Sequence, residues 1–229
     1  MRAVRNVADA IPSVRSAFNG DVEVLLDLGS LERRDDAMLR DQGATGYILR
    51  HESLGSRLRC LEDLLELGYR VDTGIISGLP EQSADSIVRD VLLVSELGVH
   101  MYSVSPFMPA SNTPLAGERA GDVDLALNSI SVLRLCYPHL LIPSVSALER
   151  TSEGGQARGL AAGANVMTIN FTRTADRKRY LIYGDERFVV NRSHVDGILD
   201  QLGMKPRTAA FRQTCALPSG DCAASATRP

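Results

Sequence analysis

The sequence is that of an α/β protein with a parallel sheet, and three observations carry that expectation. A helix-like segment, a glycine and a β-rich run recur in that order, as DQGATGYILR, ELGYRVDTGIISG, ELGVHMYSVSPF and AAGANVMTINF. Gly43, Gly68, Gly98 and Gly163 each fall just past the helical part, where a left-handed residue closes the last turn. The runs that follow are apolar on both sides of the alternation, as strands covered on both faces are.

Taken in order, strands are expected over residues 22–28, 46–49, 72–76, 101–105, 140–145 and 166–170. Before them, Val4, Val7, Ile11 and Val14 lie on one helical face, which Pro12 interrupts. Between the strands, residues 57–67 carry Leu58, Leu61 and Leu65 on one stripe. Residues 84–97 carry Ile87, Val91 and Val94, with Ser83 as N-cap. Residues 123–137 carry Leu127, Ile130 and Leu133 or Arg134. A last helix over 193–202, capped by Ser193, stops at Gly203. Helix–strand alternation of this length points to a parallel sheet or a (β/α) barrel. No glycine-rich dinucleotide fingerprint follows any of the strands. Six parallel strands with outer helices, filling residues 1–203, suit a partial (β/α) TIM-type barrel, and a doubly wound sheet stays open as the alternative at this point. Residues 204–229 are small, polar and proline-bearing, and read as a disordered tail.

Composition narrows the function. A chain of 229 residues with 44% hydrophobic residues can bury a sizeable core. A net charge of −3, 5% aromatic residues and no Trp give no electrostatic or stacking case for nucleic acid. No run approaches the length of a membrane span, and the first residues lack the apolar core of a signal peptide, so a cytoplasmic location is expected. The four cysteines, Cys60, Cys136, Cys215 and Cys222, are too scattered for a disulfide framework.

The strand ends hold the candidate chemistry. GATGYILRHE ends in Arg50 and Glu52, and Arg57 opens the next helix. Parallel sheets and barrels bind ligands at the carboxyl ends of their strands. Two guanidinium groups and a carboxylate suit a zwitterion: Arg50 and Arg57 for its carboxylate, Glu52 for its ammonium. A solvated surface ion cluster is the alternative. Gly74 and Gly78 flank a strand end, either offering bare backbone to a ligand or serving a turn. PFMPASNTPL makes a rigid loop at another strand end, Ser144 and Ser146 bring small hydroxyls to a third, and Asn165 and Asn170 bracket a fourth. There is no G-x-S-x-G elbow, no phosphate-cradling loop and no H-E-x-x-H. His51, His100, His139 and His194 stand apart from one another and from the cysteines, so no metal ligand set is assigned.

These strand ends, in this order, resemble the radical S-adenosylmethionine enzymes of the biotin synthase group, and within it the maturases of iron-only hydrogenases. The motifs are GATGYILRHE, RLRCLEDLLELGY, GIISGLPEQS, PFMPASNTPLA, IPSVSAL, GANVMTINFT and the spacing of Tyr180 and Tyr183, over roughly residues 22–203. The resemblance implies S-adenosylmethionine and a [4Fe-4S] cluster as cofactors, a 5′-deoxyadenosyl radical and a small-molecule substrate. It places Arg50, Glu52 and Arg57 at the amino-acid end of the cofactor, and Gly74 and Gly78 behind the adenosyl group. It places Ser146, Tyr180 and Tyr183 around the substrate.

The departures are specific. The CxxxCxxC loop that holds the cluster in the family occurs nowhere in the chain. Ala110-Ser111-Asn112 stands where the family has His-Pro-Asp, Val145 replaces a threonine, and Thr168-Ile169 replaces Met-Pro. The chain therefore reads as starting late, with its cluster segment in a missing N-terminal half or a partner subunit, or lost in a decayed copy. The alternatives are a non-catalytic remnant or split subunit that binds a small ligand or partner, and an ordinary barrel lyase with a carboxylate substrate. Expressed as given, the chain is expected to reconstitute no such cluster. Iron analysis and visible absorbance after anaerobic reconstitution check this, and about four iron per chain would refute it.

Overall fold

The computed structural model describes residues 2–49, 54–111, 113–177 and 188–207. The chain divides into two compact units, Met1–Gly74 with Val94–Met101 and Ile75–Leu93 with Tyr102–Pro229. Four strands, β1 (Leu25–Leu26), β2 (Gly46–Ile48), β3 (Arg70–Ser77) and β4 (Met101–Pro106), follow one another across the sheet in sequence order. β1 pairs with β2, and β2 with β3, both parallel. Gly46 lies opposite Leu25, and a Cβ there would come within 2.7 Å of the Leu25 Cγ. A larger residue at 46 would force the Leu25 side chain to move and would crowd the Arg70 carbonyl at 3.2 Å.

In the first unit, helices α1 (Arg2–Ala17), α2 (Arg33–Asp41) and α3 (Leu54–Glu66) accompany the strands. Pro12 lies inside α1, which continues through it as one helix. Ala8 and Ile11 are its buried residues, while Val14 is exposed. In α3 the buried stripe is Leu61 and Leu64, one step round from the expected Leu58 and Leu65. The core is built on two tyrosines. The rings of Tyr47 and Tyr69 meet edge to face at 5.6 Å. Tyr47 donates to the Gly29 carbonyl and Tyr69 to the Asp36 carbonyl, both at 2.8 Å. Burial is the main cause that raises both phenol pKa values, so each stays a donor.

The second unit holds most of α4 (Ala84–Leu97), together with α5 (Val123–Cys136), α6 (Ser146–Thr151), α7 (Gly155–Ala161), α8 (Thr174–Arg177) and α9 (Arg192–Leu202). Ile87, Val91 and Val94 of α4 and Leu127, Ile130 and Leu133 of α5 are buried, as their spacing predicts. The Ser86 amide donates to Ser83 Oγ, which confirms the cap of α4. α9 is capped by Asn191, not Ser193, because the Asn191 carboxamide accepts from the His194 amide at 2.9 Å.

β1 and β2 are shorter than expected, while β3 and β4 run slightly past the expected 72–76 and 101–105. Four strands form among the described residues, and 140–145 and 166–170 are linked instead by the parallel bridge Pro143–Val166 and the hydrogen bonds around it. Side chains take over hydrogen bonds that a ladder would make. Pro143 has no N–H to give, and Asn165 Oδ1 accepts from the Ile142 amide at 2.8 Å. At the start of β1, Thr45 Oγ1 likewise accepts from the Val24 amide at 3.1 Å.

The glycines predicted to end helices do so. Gly43, Gly68, Gly98 and Gly163 have φ of 103°, 78°, 64° and 119°. Three of them are held by an arginine from another helix. Arg15 Nη1 donates to the Gly43 carbonyl at 3.1 Å, Arg40 Nη2 to Gly68 at 3.2 Å, and Arg134 Nε to Gly163 at 2.8 Å. Arg134 Nη1 also donates to Pro138 at 2.6 Å.

Two predictions follow from these contacts. Arg134→Met strands at least two carbonyls and should lower unfolding free energy by about 1–3 kcal/mol in denaturant titration. Arg134→Lys should recover less than half, because an ammonium cannot span the same set of carbonyls. The second concerns Asp36, which is 4% exposed and whose Oδ1 has no hydrogen-bond partner. Burial first, then repulsion from Asp35 and Asp63, pushes its pKa up to about 6. The folded state therefore binds this proton more tightly than the unfolded chain. That contribution is complete below the unfolded pKa near about 4 and is lost as pH rises through about 6. Asp36→Asn should flatten that slope and be the more stable protein above neutral pH, by about 1–3 kcal/mol. An unchanged slope in denaturation midpoints across that window would rule the assignment out.

Candidate functional site

The two units carry different parts of the predicted site. In the first, β2 runs into Leu49, whose amide donates to the Asp72 carbonyl at 2.9 Å and whose carbonyl accepts from Thr73 Oγ1 at 2.8 Å. These bonds fix the backbone that leads into Arg50. Arg50, His51 and Glu52 lie outside the described residues, as do Tyr180, Tyr183 and Asn112. Arg57 sits half-buried in the first turn of α3. Gly74 is buried within β3. The first unit thus places Arg57 and Gly74 on two neighbouring elements of the chain. Their relation to Arg50 and Glu52 is not part of what is described.

In the second unit, Gly78 is a turn glycine. Its φ is 80°, and a Cβ there would lie 2.7 Å from the Gly121 Cα. Gln82 Oε1 accepts from the Gly78 amide at 2.6 Å and from Leu79 at 3.3 Å, while its Nε2 donates to Ile76 at 3.0 Å. The side chain of Gln82 closes the turn as a backbone peptide would. Gly78 and Gly121 also edge an open cleft of about 510 Å³, with Pro80, Arg119 and Asp122.

Ser146, the first residue of α6, lines a second cavity of about 280 Å³. Thr168, Asn170 and Thr172 add polar groups, and Ile169, Phe171, Phe188 and Val190 add apolar ones. Two strand ends that the sequence singled out separately, at Ser146 and at Asn170, therefore meet here. The wall is fixed by local bonds. The Asn170 amide donates to the Val190 carbonyl, and Asn170 Oδ1 accepts from the Thr172 amide, both at 2.8 Å. Asn165 is not part of this wall. Its carboxamide serves Ile142 and Leu140 instead.

Beneath the cavity lies a polar group that the sequence reading missed. Gln156 is fully buried. Its Nε2 donates to the Ser144 carbonyl at 2.7 Å, and its Oε1 is 2.9 Å from His194 Nε2. Ser144 Oγ returns a bond to the Gln156 carbonyl at 2.8 Å. Phe188 packs edge to face on His194 at 4.8 Å. The available signal was a lone glutamine in GGQARGLAAG, flanked on both sides by small residues that let it be buried. His100, by contrast, accepts from the Val71 amide through Nδ1, and burial lowers its pKa, so it is a neutral structural group.

Each unit holds one described cysteine. Cys60 lies in α3 of the first unit and Cys136 ends α5 of the second. Cys215 and Cys222 fall outside the described residues, and the sequence contains no CxxxCxxC. Among the described residues no three His, Cys, Asp or Glu side chains gather to hold a metal. No helix among them is long and apolar enough to cross a membrane.

No family model matches the chain. The chain is 34% identical over 204 residues to the [FeFe] hydrogenase maturase subunit HydE of Thermotoga maritima, covering 81% of this chain and 59% of that protein. It is 27% identical over 191 residues to biotin synthase of Schizosaccharomyces pombe, covering 72% of this chain and 49% of that protein. The chain thus spans about half to three fifths of the length of these relatives. In fold it is similar to the crystal structure of methylornithine synthase PylB, with a TM-score of 0.74 at 24% identity, covering 92% of this chain and 66% of the other. The maturase HydG gives a TM-score of 0.68 at 14% identity, covering 91% and 51%. With its parallel α/β fold and this likeness to HydE and biotin synthase, the chain belongs to the radical S-adenosylmethionine group that contains them.

Proposed function

We propose that the chain is the adenosyl- and substrate-binding part of a radical S-adenosylmethionine enzyme of the HydE type, built as a partial (β/α) barrel. The observation that carries this is the 34% identity to HydE over 204 residues, which includes the stretch that ends in Arg50, Glu52 and Arg57. In this proposal the two guanidinium groups hold the carboxylate of S-adenosylmethionine and Glu52 holds its ammonium. A planar guanidinium matches a carboxylate with two parallel bonds, and the Glu52 carboxylate is the complementary acceptor for an ammonium. Gly74, buried within β3, supplies backbone for the adenosyl group.

When bound in the complete enzymes, the cofactor supplies a 5′-deoxyadenosyl radical. The residues of this chain bind and orient; none of them is assigned a proton or electron to transfer. The 280 Å³ cavity takes the small-molecule substrate, with Ser146, Thr168 and Asn170 as polar contacts and Tyr180 and Tyr183 as further ones. Its apolar side chains limit water near a reactive centre. The cluster ligands come from a partner chain or from another segment of the same protein, since the cysteines of these 229 residues do not form the required set.

Calorimetry with S-adenosylmethionine tests the proposal. The parent chain should bind it, and Arg57→Ala should weaken binding at least about tenfold, the loss expected for one charge-assisted pair. Arg50→Ala should do the same. If the parent releases no heat with S-adenosylmethionine but does with small carboxylates, the strand-end arginines belong to an ordinary carboxylate-binding lyase.

A further inference from the structure

Gln156 touches three segments, and each of them supplies part of the cavity wall. Its Nε2 donates to the carbonyl of Ser144, two residues before Ser146. The same Nε2 lies 4.0 Å from the Met167 sulfur, next to Thr168. Its Oε1 meets His194, whose ring packs against Phe188. Its backbone is held as well, by the amide bond to Glu149 Oε2 at 3.0 Å and the hydroxyl bond from Ser144. No other described side chain ties the serine end, the Thr168 end and the phenylalanine end of the cavity together in this way.

The orientation of the amide is fixed by its partners. Flipping it would set the carboxamide oxygen 2.7 Å from the Ser144 carbonyl oxygen, two acceptors with no proton between them. With Oε1 therefore facing His194, the bond of 2.9 Å requires a proton on His194 Nε2. The imidazole is then oriented as the Nε2–H form, with its edge contact to Phe188 set by the same bond. A fully satisfied buried amide holds its neighbours in one arrangement, because any other arrangement strands a polar group in the core.

We infer that Gln156 is a positioning residue for the cavity, acting on Ser146 through Ser144 and on Phe188 through the Nε2–H form of His194. The inference deepens the proposed function and rests on reading this cavity as the substrate end. Its two limbs can be separated. Glutamate at 156 still accepts from His194 but sets a carboxylate oxygen against the Ser144 carbonyl. Methionine at 156 can serve neither.

Nuclear magnetic resonance of the full chain tests this without any ligand. In the parent, His194 should show a protonated Nε2 and an unprotonated Nδ1 in its neutral form, with a cross-relaxation signal between its ring and Phe188. Gln156→Glu should keep that signal and shift the amide resonances of Ser144 and Ser146. Gln156→Met should lose the signal and shift both groups while its circular dichroism stays that of the parent. An Nδ1–H tautomer in the parent overturns the inference. So does a glutamate variant that leaves Ser146 in place, and these two readouts decide the matter if the methionine variant fails to fold. The substrate reading fails separately: titrating a small polar amino acid, serine, into the parent should shift Ser146 and Thr168, and no shift there leaves the tautomer result standing while removing its link to a substrate.

Discussion

The constraint on which the sheet depends is the ending of a helix by a glycine whose carbonyl is gripped from outside. A helix leaves its last carbonyls without partners, and a left-handed glycine turns the chain while exposing one more. Here Arg15, Arg40 and Arg134 each reach from one helix to the glycine that ends another. The cation also suits the negative end of the helix dipole. Each grip fixes where the following extended segment begins. The start of that segment fixes its register, and the register fixes which residue emerges at its far end. Gly43 leads into β2 and on to Arg50, Gly68 into β3 and Gly74, and Gly163 into Val166 and Asn170. Site residues at one end of the strands are therefore set by glycines and arginines at the other. A Cβ at Gly163 would lie 2.7 Å from the Arg134 Cβ, so the arginine and the missing side chain are a single requirement.

How much of this was legible follows from the range of each interaction. The closing glycines were readable because a positive φ is a local need that few residues meet. α4 and α5 were readable because an apolar stripe repeats within one helix. The last two strands were overextended because a short apolar run does not reveal who pairs with it. Thr45 and Asn165 each replace a backbone partner with a side chain, and both are ordinary polar residues in sequence. Ser193 and Asn191 are both good caps by type, and only the bond to the His194 amide decides between them. Ser146 and Asn170 were each singled out at a strand end, yet nothing local says that they share a cavity with Phe188. Gln156 and His194 are 38 positions apart, and the value of a buried amide is invisible until its partners are known.

The sequence contains no CxxxCxxC, and the two kinds of residue in the proposed function differ in what they need from the fold. Two kinds of residue serve a radical enzyme: those that bind the cofactor and substrate, and those that hold the cluster. In the proposed function the first kind needs a fold to place it, since the proposed residues Arg57, Gly74, Ser146 and Asn170 come from separate parts of the chain. The second kind needs only one short loop, because a CxxxCxxC segment brings its three ligands by sequence spacing alone. A chain can therefore keep the residues of the first kind in position without the second. The buried Ser144–Gln156–His194 set is an argument that the second unit is still shaped around its cavity. Left partly satisfied, such a set destabilises the core by more than an apolar replacement would. Its completeness, with the carbonyl, amide and imidazole partners each at 2.7–2.9 Å, describes a wall held in one form. A cavity held in this way is suited to orienting a small molecule.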